Sequence, residues 1–176
     1  MLNTVQALIE HQFEAALCTL NLCIERCPAS AWDARVGNHK FCQVVFHTLC
    51  YADYYLEKNE QTFREQPFHR ANQQFFRDYE ELEDRAPRLL YDKPSIHEYM
   101  NHCRQKARRV IAAETADSLE GRCGFQRRAF SRAELYVYSI RHIQHHAAQL
   151  SLRLRIDSNQ AIPWIGSGWC EVVVGA

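Results

Sequence analysis

His142 and His146 stand four residues apart in the run Arg141-His142-Ile143-Gln144-His145-His146-Ala147-Ala148-Gln149-Leu150. On an α-helix, residues at that spacing lie one above the other on one face, so two imidazoles can aim their nitrogens at one point. Two histidines so placed are a common way for a helix to hold half of a transition-metal site. His145 lies close beside them. A third ligand must come from elsewhere in the chain, and His47 is the best candidate.

The elements that would carry these residues read as helices almost throughout. From Leu2 to about Arg26, apolar residues recur at helical spacing (Val5, Ile9, Phe13, Ala16, Leu20), and the run stops at Cys27-Pro28. A linker through Trp32, Gly37 and Asn38 follows, with Asn38 placed to cap a second helix over about His39 to Lys58. That helix carries His47 among Phe41, Val44, Val45, Leu49 and Ala52. The middle, about Asn59 to Lys93, is less regular; its aromatic residues (Phe63, Phe68, Phe75, Phe76) and the charged run from Asp78 to Asp84 suggest a long connection with a short helix near Phe76.

Ser95-Ile96-His97-Glu98 is a capping-box pattern that opens a third helix reaching about Ala113. A turn around Gly121 to Gly124 precedes a second such box, Ser131-Arg132-Ala133-Glu134, which opens the helix bearing His142 and His146 and ending near Arg155. No alternation of period two is long enough to demand a sheet, and Val172-Val173-Val174 reads at most as a short extended tail. The expected fold is all-α: one domain over residues 1–176, a four-helix bundle with a long crossover between its second and third helices. Bundles of this kind build metal sites inside, from side chains on facing helices.

Composition narrows the function classes. Lys plus Arg number 21 and Asp plus Glu 21, so the chain lacks the net basic charge of a protein that binds nucleic acid by neutralising phosphates. The basic runs Arg104 to Arg109 and Arg122 to Arg132 read as solvated faces. No apolar stretch approaches the roughly 20 residues that span a bilayer, and the N-terminus lacks the pattern of a secretion signal. The expected location is cytoplasmic. The eight cysteines contain no C-x-x-C pair and read as small buried hydrophobes in a reducing compartment; Cys50, three residues past His47, stands out.

The pattern H-x-x-H-H-x-x-Q-L over His142 to Leu150, the single histidine in Val44-Val45-Phe46-His47-Thr48-Leu49, and the Pro-aromatic segment Ile162-Pro163-Trp164 all carry one likeness. In the order and spacing of its elements nearly the whole chain resembles the DinB-like superfamily of metal-binding four-helix bundles. The resemblance implies that His47, His142 and His146 bind one divalent metal, zinc or nickel, with His145 turned toward a neighbouring helix or the rim. Neutral imidazoles suit such ions, and three protein ligands leave open positions of the kind catalytic sites keep. Gln43 and Tyr51, four residues either side of His47, and Gln149, three after His146, are placed to hydrogen-bond a ligand. His11, His39, His69, His97 and His102 read as surface or packing residues.

The resemblance further implies a metal-dependent thiol S-transferase acting on small electrophiles with a low-molecular-weight thiol as cosubstrate. Arg141 or Arg153 would help bind an anionic thiol at the site mouth. The alternative is a non-enzymatic metal-binding or stress-response bundle; a homodimer is compatible with either form and the sequence does not decide it, the aromatic middle covering a paired face or capping the core. Two other metal enzymes are excluded: no Glu is followed three residues later by His, as a di-iron carboxylate bundle requires, and His-Glu-x-x-His is absent. A Cys50–His47 nucleophile would compete with metal for the same imidazole.

Overall fold

The computed structural model describes residues 1–77 and 89–170. Four long helices, α1 (Leu2–Arg26), α2 (Phe41–Leu56), α5 (Lys93–Ala112) and α7 (Arg132–Ser158), are joined by shorter pieces: α3 (Glu60–Glu65), α4 (Pro67–Ala71) and α6 (Ala116–Glu120). Both α1 and α2 pack on α5 and on α7, so α1 faces α2 across one diagonal of the bundle and α5 faces α7 across the other. The all-α fold with a long connection between the second and third long helices is borne out.

Each long helix buries one stripe. Phe13, Leu17, Leu20 and Ile24 of α1, Val45 and Leu49 of α2, Ile96, Met100 and Cys103 of α5, and Ile143, Ala147 and Leu150 of α7 meet in one core. Removing each such side chain from water contributes about 1.5–3 kcal/mol before the cost of ordering it. A smaller cluster of Tyr55, Cys123, Phe125 and Leu135, with Tyr51 and Tyr138 against it, sits at one end of α2.

The helix starts correct the sequence reading in two places. α2 begins at Phe41 rather than His39, because Arg35–Val36 (β1) and His39–Lys40 (β2) pair as a small antiparallel hairpin. Gly37, at φ 63°, fills the first position of its two-residue turn, where such hairpins favour glycine. Asn38 is therefore a turn residue, and the helix start is closed instead by Gln43, whose Oε1 accepts from Lys40 N at 2.9 Å. For α5, Asp92 rather than Ser95 is the cap: its carboxylate accepts from Ser95 N at 2.8 Å, with Pro94 in the first turn. Ser131 caps α7 as expected, accepting from Glu134 N at 3.1 Å, and that helix runs on to Ser158.

The middle also differs. Two short helices, α3 and α4, precede Phe76, which lies in the turns that follow α4. Phe63 and Phe76 are buried and Phe68 and Phe75 pack against the same core, so the aromatic middle caps it. The Asp78–Asp84 run and Val172–Val174 lie outside the described residues.

Arg132, in the first turn of α7, fixes how α7 meets α2. It donates to the carbonyls of Tyr55, Leu56 and Glu57, each at 2.9 Å, where the end of α2 has no helical partners left. Its Nε pairs with Glu114 at 2.8 Å. Gly124 (φ 81°) lets the preceding loop touch the same helix end: a Cβ there would lie 2.1 Å from Lys58 O. The register of His47 against α7 follows from this join.

Candidate metal centre

His47 on α2 faces His142 and His146 on α7. The Nε2 atoms of His47 and His142 are 3.2 Å apart, and one ligand atom from each of the three residues lies within 4.8 Å of the others. Two nitrogens bound to one tetrahedral zinc at 2.0–2.1 Å would stand about 3.3 Å apart, so the closest pair already has the separation of two ligands on one ion.

The protonation states suit the same chemistry. Burial, then the neighbouring imidazoles of His146 and His142, lowers His47 from 6.5 to about 2. Burial, then His146, His145 and the Arg128 guanidinium, lowers His142 to about 3. Burial lowers His146 as well, against the opposing effect of the hydrogen bond that it donates to Gln149. All three are neutral bases at pH 7, the form that ligates metal. Among the described residues the buried Nδ1 atoms of His47 and His142 have no hydrogen-bond partner, so their tautomers are set only by the Nε2···Nε2 contact between the two rings, in which one ring donates and the other accepts.

His146 is different. Its Nδ1 lies 2.9 Å from Gln149 Oε1, which can only accept, so Nδ1 carries the proton and the Nε2 lone pair is kept free. The same amide reaches His145 through its Nε2 at 3.1 Å. His145 is exposed at the rim, as expected, outside the cluster of three.

Of the other residues singled out by spacing, Tyr51 forms a wall: its ring lies 4.8 Å from that of His47 and 5.5 Å from that of His142. Gln43 is committed elsewhere, to the start of α2 and to Leu89 O at 3.1 Å. Cys50 lies on the α5 side of α2, where burial, then the nearby Asp53 carboxylate, raises its thiol well above the ordinary range; Tyr99 is its hydrogen-bond partner. It is not a nucleophile paired with His47.

Two residues enter that spacing did not flag. His39, held on β2, lies within electrostatic range of both His47 and His146. Its own Nδ1 is buried without a partner among the described residues. Arg128 is a cation that acts on His142. It reaches the hydroxyls of Tyr138 at 3.1 Å and Tyr55 at 3.4 Å and lies within electrostatic range of His142. Arg141 is exposed, and Arg153 pairs with Asp157 one turn on. No local signal marks Arg128, because the Gly124 loop carries it there.

The fold is an all-α bundle in which three neutral imidazoles converge from two adjacent helices, a group that could hold a metal ion. The model of the DinB superfamily matches residues 12–150, a span that includes His47, His142 and His146, and the chain belongs to that superfamily. No curated protein and no solved structure matches it. Among the described residues no helix is long and apolar enough to cross a membrane.

Proposed function

We propose that His47, His142 and His146 bind one divalent metal ion, zinc or nickel, and that the protein is a metal-dependent S-transferase. It would join a low-molecular-weight thiol to a small electrophile. The observation that carries the reading is the convergence of His47 and His142 Nε2 at 3.2 Å among three imidazoles that burial keeps neutral. Membership in the DinB superfamily supports it.

The ion would supply Lewis acidity, lowering the pKa of a thiol it takes up so that the nucleophilic form is present near neutral pH. The chain's own residues do the rest. Gln149 holds the tautomer of His146, and Tyr51 closes one wall beside His47 and His142. Arg128, steadied by Tyr55 and Tyr138, supplies positive charge beside His142 for an anionic thiol.

Elemental analysis of untagged protein, wild type beside His47→Ala, tests the ligand set. The expected result is about one metal per chain, lost in the variant. Metal-loaded protein is then assayed for conjugation of a thiol to chlorinated or epoxide electrophiles. Metal without turnover would leave a binding protein and remove the transferase reading. No metal, even after incubation with zinc or nickel, would remove both.

A further inference from the structure

The segment after α7 folds back over α1. Arg26 donates to Ala161 O, Gln12 Nε2 to Gly166 O at 3.2 Å, and Gly168 N to His11 O at 2.9 Å. Gly168, at φ 64°, turns the chain there. Trp169 then lies under the Arg104 guanidinium, 3.9 Å from ring centre to Cζ, while Arg104 itself holds Glu14 of α1 at 2.9 Å. This path delivers Cys170 to Cys18. The Cys18 thiol donates to Cys170 O at 3.4 Å and accepts from Cys170 N at 3.4 Å.

We propose that Cys18 and Cys170 form a reversible disulfide that latches the C-terminal segment onto α1, with a low-molecular-weight disulfide as the oxidant. An N–Cα bond of about 1.46 Å puts Cys170 Cα within about 4.9 Å of the Cys18 sulfur. A disulfide joins Cα atoms about 4.4–6.8 Å apart, and the Cys170 backbone already touches the sulfur it would bond to. The two sites are also unlike in the way an entry and a resolving thiol must be. Of the eight cysteines only Cys170 is exposed; Cys18 is 1% exposed, and burial raises its thiol. The remaining six are buried in the body of the protein.

The Cys170 thiolate attacks one sulfur of the small disulfide, breaks its S–S bond, and expels one thiolate as a mixed disulfide forms. Cys18 then gives its proton to solvent and attacks the Cys170 sulfur. The protein disulfide forms, the bond to the small thiol breaks, and a second thiolate leaves. Two protein thiols are oxidised and one small disulfide is reduced to two thiols. In the reduced protein the segment is held by the few backbone and cation–π contacts above; the oxidised form adds a covalent tie that closes a loop of some 150 residues, where cross-links constrain the unfolded chain most. Transient, redox-responsive disulfides are the kind that a reducing compartment permits.

The test is to incubate the full chain with oxidised glutathione, denature it, alkylate free thiols without reductant, and map peptides by mass spectrometry. Two of eight thiols should escape alkylation, a linked Cys18–Cys170 peptide should appear, and Tm should rise by about 5–10 °C, reversibly with dithiothreitol. Cys170→Ser should show neither the linked peptide nor the shift. Cys18→Ala should stop at glutathione on Cys170, which separates the two steps. A stable mixed disulfide on Cys170 in the wild type, a Cys170–Cys170 dimer, or eight alkylated thiols would overturn the latch.

Discussion

Asp53 and His47 hang from the same helix, six residues apart, and both carry polar groups into the bundle, yet their surroundings treat them oppositely. On the α5 side, Asp53 Oδ2 accepts from Gln66 Nε2 at 3.0 Å and from the Tyr99 hydroxyl at 3.1 Å. Lys106, itself 2% exposed, lies 2.5 Å from Asp53 Oδ1, 2.6 Å from Glu57 and 3.1 Å from Gln66 Oε1. His102 stands 3.4 Å from Asp53 and stacks on Phe68. On the α7 side, three imidazoles converge with their charged forms suppressed and two buried nitrogens unpaired among the described residues. A polar cluster that completes its own hydrogen bonds is a brace for the α3–α4 crossover; one that brings neutral bases to a common point could hold a metal ion.

The largest expected effect breaks the brace. Lys106→Met keeps the length of the side chain but strands the Asp53 carboxylate in the interior, and it should cost about 3–5 kcal/mol of stability by urea denaturation. A loss below 1 kcal/mol would mean that Asp53 finds other compensation and that the contrast is overdrawn. Metal content of whatever folded fraction remains should be unchanged, since no residue of this network touches the histidines in the cluster.

His47→Ala should do the reverse. It removes an imidazole that is costly to bury and has an unpaired nitrogen, so the metal-free protein should lose no more than about 1–2 kcal/mol while metal binding falls by at least 100-fold. Isothermal titration with zinc, beside urea midpoints of the metal-free forms, separates the two readouts. Loss of stability without loss of affinity would make His47 a core residue.

The pH response distinguishes the two clusters independently. His47 and His142 are lowered from 6.5 to about 2 and about 3. Above pH 6.5 folded and unfolded chains both hold them neutral. Below it the unfolded chain binds protons that the folded chain refuses, so stability falls as pH falls, until the folded pKa values are reached. Between pH 7.5 and 5.5 each such histidine should remove about 1.4 kcal/mol from the metal-free protein. Burial alone would raise the Asp53 carboxyl, but His102 and Lys106 outweigh it and hold it below 3.8, so its share is lost only in more acid solution. His47→Gln should therefore flatten part of the dependence between pH 7.5 and 5.5. An unchanged slope would show that His47 is not held neutral.

These differences trace what sequence can and cannot carry. The His142–His146 pair and the Ser131 cap are local, set by helical repeat and by one side chain reaching three residues ahead, and both could be read directly. His47 joined them because it sits alone on its helix in a position the family resemblance matched. The start of α5 was ambiguous locally, since Asp92 and Ser95 are both capping types and only geometry selects one. Pairing of Asp53 with Lys106, 53 residues away, and delivery of Arg128 by a loop that hinges on Gly124, leave no periodic trace. They depend on which helices become neighbours.

The smallest expected effect lies at the rim, where one amide serves two histidines. Gln149 Oε1 accepts from His146 Nδ1, and Gln149 Nε2 donates to His145 Nε2. The first bond keeps the His146 lone pair facing its partners; the second only orients the amide. Gln149→Leu should therefore weaken zinc binding by about 10–100-fold, the usual consequence of losing a bond that orients a ligand. His145→Ala should change it by less than about 3-fold, because the amide can still accept from His146 without its rim partner. Zinc titrations of the two variants decide the matter. Equal losses would mean that His145 is coupled to the ligand set and that the boundary between cluster and rim is drawn one residue too tight.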